Sequence, residues 1–138
     1  MTMPSTQADA LQARARRLLS DHRARAKRDG VVLGYALYDL RQLLAEHPLC
    51  EYCCTPLSFA ASLDHRVPIA RGGRHALGNL AVCCTRCNAI KGMLTDLEFR
   101  ELLTLLALMH PIARADLERR LIAGGKRYAS RKKAAPIG

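Results

Sequence analysis

Two Cys-x-x-Cys pairs, Cys50 with Cys53 and Cys84 with Cys87, constrain this chain more than any other feature. Four thiolates in two such pairs can close the tetrahedron that a structural zinc ion requires, so the pairs predict one Zn²⁺ site. The 30 residues between the pairs exceed a typical zinc-finger spacer and suffice for a two-stranded hairpin with polar groups of its own. The other two cysteines, Cys54 and Cys83, each adjoin a pair member and read as small buried apolar groups. Either one substitutes as a ligand if the register of a pair is off by one.

Six cysteines also fit disulfides, but no signal-peptide core precedes them, and metal ligation is the better reading. No apolar run approaches the ~18–20 residues of a membrane span. The expectations are a cytoplasmic chain and no membrane partner. A length of 138 residues with a 49% apolar share fits one domain with tails, whose modest core the metal would supplement.

The net charge of +10 is concentrated in three places. Residues 1–30 carry seven Arg/Lys against three Asp, residues 50–94 five against two, and residues 124–138 five against none. Basic ends flanking a basic core attract polyanions, and without a lipid-facing segment the expected polyanion is nucleic acid. A merely solvated surface is the plainer alternative.

Ala8 to about Arg28 predicts a helix, with Leu11, Ala15, Leu18, Leu19, His22 and Ala26 as its apolar stripe and Asp29-Gly30 as its stop. This basic arm, residues 1–30 with Met1–Thr6 frayed, either follows a phosphate backbone or is a solvated face. His22 is given no functional role. Val31–Tyr38 lacks clean alternation and is read only as partly buried. Asp39 is expected to cap a short helix through Glu46, burying Leu40, Leu43 and Leu44, with Pro48 stopping it before the first cysteine pair.

A strand is expected over Phe59–Leu63, leading into Asp64-His65. Pro68, Gly72 and Gly73 force a loop carrying Arg71, Arg74 and His75, and Asn79–Val82 returns as the second strand. Thr85 to about Gly92 reads as a short helix with Asn88 and Lys91 on one face. Thr95 and Glu98 form a capping box for a helix to about Met109, with Leu97, Phe99, Leu102, Leu103, Leu105, Leu106 and Met109 as its apolar surface. Pro111 starts another helix through Ala123 that Gly124-Gly125 ends, leaving 124–138 as a basic disordered tail.

The run CEYC, LDHRVPIARGG, LGNLAVCCTRCNAIKG resembles the HNH endonucleases, whose pattern is Cys-x-x-Cys, Asp-His-x-x-Pro, Gly-Gly, Asn-Leu and Cys-x-x-Cys-His/Asn-x-x-Lys. The resemblance implies an α+β fold built on a zinc-stapled ββα-metal core. It implies a nuclease domain over 31–123, with the motif core at 50–92 and C-terminal helices at 95–123. It also implies divalent-metal-dependent cleavage of DNA phosphodiesters, with the motif letters on His65, Asn79 and Asn88. Asn88 departs from the family's name, since many members have His there.

The chemistry can be stated from the residues as well. Phosphodiester hydrolysis needs a deprotonated water, a cation to absorb charge on phosphate oxygens, and fixed geometry. His65 is the best-placed general base at neutral pH. Asp64 and Asn88 offer oxygen ligands to Mg²⁺ or Mn²⁺, and Asn79 would orient the loop and the imidazole. Arg71, Arg74 and Lys91 are candidates to steady phosphates. Asp64 and Asn79 also suit ordinary turn chemistry, and the rival reading is a non-catalytic nucleic-acid-binding module of the same fold. Oligomeric state is not legible.

Overall fold

Helix α1, Gln7–Arg28, starts where the Thr6 hydroxyl accepts a hydrogen bond from the Asp9 amide, and it ends at Gly30, whose φ of 70° is left-handed. The computed structural model describes residues 6–58 and 60–134, with side chains as far as Lys126. The fraying expected over Met1–Thr6 therefore lies outside the described residues apart from Thr6, as do Phe59 of the expected strand and residues 135–138 of the tail. Ala15, Leu18, Leu19, His22 and Ala26 are buried, as the stripe predicts, and α1 packs along α2, Leu37–Glu46. Asp39 is not the residue at the start of α2. It lies in the first turn and accepts from the Ala36 amide at 2.8 Å, capping the helix from within.

The centre of the fold is an antiparallel pair, β1, Ser62–His65, and β2, Leu80–Cys83, with Asp64 opposite Ala81 and His65 opposite Leu80. Strand β1 begins later than expected because Ser58 has a left-handed φ of 48° and the Ala60 amide bonds back to the Leu57 carbonyl, making a turn there. Strand β2 likewise begins at Leu80, since Leu77–Asn79 is a 3-10 turn.

Between the strands, Gly73 has no room for a side chain, because a Cβ there would stand 1.8 Å from the Val67 carbonyl oxygen. The loop can fold back on itself only with glycine at this position.

Helix α3, Thr85–Lys91, packs on β1 and completes the ββα unit. Phe99 and Leu106 of α4, Asp96–Ala107, are buried, whereas Leu97 and Leu105 of the expected apolar surface are exposed. Helix α5, Pro111–Ala134, packs on α3. It is not ended by Gly124-Gly125. Neither glycine has a positive φ, and a Cβ at Gly125 would meet the Ala89 carbonyl of α3 at 3.7 Å, so the packing carries the helix through the pair. Glycine's cost in a helix, about 1 kcal/mol each, is small enough for such contacts to offset. Among the described residues no helix is long and apolar enough to cross a membrane.

Candidate active site and metal centre

Cys50, Cys53, Cys84 and Cys87 bring their Sγ atoms within 4.8 Å of one another. The Cys53–Cys84 separation is 3.8 Å, about the edge of a tetrahedron with Zn–S bonds of about 2.3 Å. Backbone amides of Tyr52 and Cys53 point at Cys50 Sγ, and that of Cys87 at Cys84 Sγ, a pattern that favours the thiolate form. Burial pushes the Cys87 and Cys84 thiols up, whereas at Cys53 burial is outweighed by hydrogen bonding with Thr55, which brings that thiol down to about 7. The four cysteines can hold a metal such as zinc. Cys83 is fully buried as expected, but Cys54 is exposed with a φ of 62°, placed by the turn rather than by packing.

Glu51 fastens the first knuckle to β2, exchanging backbone and carboxylate bonds with Val82. Arg66, the residue after His65, bridges Glu51 and Asp96 and so links knuckle, β1 and α4.

The end of β1 and one face of α3 meet α1 at a cleft of about 450 Å³, whose walls include Asp64, His65, Asn88, His22 and Arg25. Asp64 Oδ2 pairs with Lys91 Nζ at 2.8 Å and accepts from the Tyr52 hydroxyl at 3.3 Å. Burial raises the Asp64 pKa, with Lys91 opposing the rise. Both contacts fall on Oδ2, so the second carboxylate oxygen is the one available to a ligand. Asn88 Nδ2 donates to the Ser62 hydroxyl at 3.0 Å, which leaves its amide oxygen as the available end.

His65 is only 6% exposed. Burial, and then the positive field of His22 and Arg25, lowers its pKa to about 4, so the imidazole is neutral at pH 7. Its Nε2 is enclosed without a partner, whereas Nδ1 is not enclosed in this way. The ring is stacked on His22 and stands edge-on to His75.

Asn79 lies off the cleft. Its side chain accepts from the Val67 amide at 2.9 Å and donates to the Val67 and Arg74 carbonyls at 3.0 Å each, tying both ends of the loop that follows His65.

The three basic residues are placed differently from one another. Arg74 is exposed. Arg71 donates to the Met93 carbonyl and pairs with Glu98. Lys91 faces inward, 1% exposed, with its amine on Asp64 and on the His65 carbonyl at 2.9 Å, because α3 turns this face onto β1. It stands behind the cleft and not at its mouth.

Sequence reasoning missed the α1 wall of the cleft and the buried Tyr52. The available signal was His22, the one polar side chain in an otherwise apolar stripe.

No curated protein matches the chain. Residues 50–104, which carry both cysteine pairs, the β-pair, α3 and most of α4, match the family model for HNH endonuclease.

Proposed function

We propose that the protein is a metal-dependent endonuclease that hydrolyses DNA phosphodiester bonds in the cleft between β1, α3 and α1. The observation that carries this reading is a neutral imidazole, His65, sharing one cleft with two oxygen donors, Asp64 and Asn88. A neutral histidine can take a proton from water as general base, and Nδ1 is the ring nitrogen open to that task.

The donor set suits a hard cation, since one oxygen of Asp64 and the amide oxygen of Asn88 are not consumed by protein hydrogen bonds. Mg²⁺ or Mn²⁺ held by these two residues would act as a Lewis acid toward charge on the phosphate oxygens. Asn79 fixes the loop behind His65, and Lys91 fixes the His65 carbonyl and the Asp64 carboxylate. Exposed Arg74 reaches for phosphate, and Zn²⁺ in the four cysteines holds the frame.

Incubation with supercoiled plasmid, with and without Mg²⁺ or Mn²⁺, tests the reading. Nicked or linear product that requires the added cation is expected. Plasmid left intact under all conditions by folded, zinc-loaded protein would favour the binding module instead.

A further inference from the structure

Helix α1 is fastened to the core along its length. Arg14 Nε donates to the Ala61 carbonyl at 2.6 Å beside the start of β1. Midway, His22 lies on His65 and meets the Tyr35 hydroxyl at 2.5 Å through Nδ1. Past its end, Asp29 pairs with His75 at 2.8 Å. These ties make α1 a fixed wall of the cleft rather than a loose arm.

On that wall Asp21, Arg25 and Arg28 recur at spacings of four and three residues, which puts them on one side of the helix, and all three line the cleft. Arg25 and Arg28 are exposed and make no side-chain hydrogen bond or ion pair with the described residues. Arg14, Arg66, Arg71 and Arg86, by contrast, are all engaged by protein partners. Asp21 leaves the face with one net positive charge. A guanidinium is a rigid fork that matches phosphate oxygens, and two of them a turn apart along a cleft fit successive phosphates of one strand.

We propose that Arg25 and Arg28 form a phosphate clamp, gripping the DNA backbone from the α1 side and holding the strand against His65, Asp64 and Asn88. The clamp rests on the reading of this cleft as a nuclease site. It gives the N-terminal helix a task in the reaction, although the helix lies outside the segment that matches the family.

The test compares Arg25→Ala/Arg28→Ala with Arg16→Ala/Arg23→Ala, which removes the same charge from the side of α1 facing away from the cleft. Affinity for a short duplex is measured in His65→Ala chains across a salt series, and single-turnover cleavage in chains that keep His65. Melting curves verify that both pairs fold. The clamp predicts that the cleft pair loses about tenfold or more in affinity, that its log-affinity against log-salt slope becomes shallower by about 2, and that cleavage slows even with all DNA bound. The outward pair should show much smaller changes. Equal losses in the two pairs, an unchanged slope in the cleft pair, or no DNA binding by the parent chain would overturn the clamp. A chain that binds DNA through Arg25 and Arg28 but never cuts it would refute the nuclease reading and leave the clamp standing.

Discussion

The imidazole of His22 lies stacked on that of His65, with ring centroids 5.5 Å apart and planes inclined by 27°. One ring belongs to the N-terminal helix and the other to the strand that ends in the candidate site. The stack, anchored by Tyr35 behind His22, restricts how the His65 ring can turn.

It also makes stability depend on acid. Burial first, and Arg25 second, lowers the His22 pKa below 6.5. His65 of β1, His75 of the loop and Tyr35 face the ring, and Asp21 on the same helix and Asp64 across the cleft carry the opposing charge. Below pH 6.5 the unfolded chain binds a proton that the folded chain refuses, so stability falls as pH drops from 6.5 toward the folded pKa, while above 6.5 the penalty is absent. Melting temperature should therefore decline from pH 7.5 to pH 5.5, and less so in His22→Phe. An identical decline in the variant would mean that His22 does not titrate in this way.

The cysteine cluster predicts a metal content. Purified protein should contain about one zinc per chain, and Cys→Ser at position 50, 53, 84 or 87 should unfold the core, as should a strong chelator. Metal analysis finding none in folded protein would contradict the assignment, and circular dichroism reads the unfolding.

Asn79 predicts a polarity effect. Asn79→Ala removes three hydrogen bonds from a partly exposed loop and should cost about 1–3 kcal/mol in chemical denaturation. Asn79→Asp keeps the shape but aims a carboxylate oxygen at the Val67 and Arg74 carbonyls, so it should destabilise at least as much. A neutral Asn79→Asp would show that the loop does not depend on those donors.

Lys91 and Asp64 predict a coupling. Lys91→Met strands a buried carboxylate and should cost about 3–5 kcal/mol, whereas Asp64→Asn/Lys91→Met should recover part of that loss. Denaturation of the two single variants and the double closes the cycle. Strict additivity would deny that the pair interacts.

How much of this was legible in the sequence varied with the range of the forces involved. Each Cys-x-x-Cys step and the cap at Thr95 are local, because short spacing brings their atoms together, and Asp64-His65 ends a strand as expected, whereas the meeting of the two cysteine pairs depends on the β-pair between them. The three-residue spacing of Asn88 and Lys91 on one helix predicts that Lys91 faces phosphate. Which edge of so short a helix is buried, however, is decided by where β1 lies. The start of β1 was misjudged by the turn at Ser58, where the left-handed backbone belongs to a residue type that does not announce it. His22 was hidden by its own apolar stripe, since a histidine at a core position looks alike whether it packs against leucine or against the proposed general base.

The role of His65 as general base is tested most directly by one comparison. Single-turnover cleavage of saturating duplex DNA in Mg²⁺ should fall at least about a hundredfold in His65→Ala, the scale of a lost general base, while affinity for the duplex stays within about twofold of the parent chain. Cleavage by folded His65→Ala at the parent rate would contradict the assignment of His65 as the base.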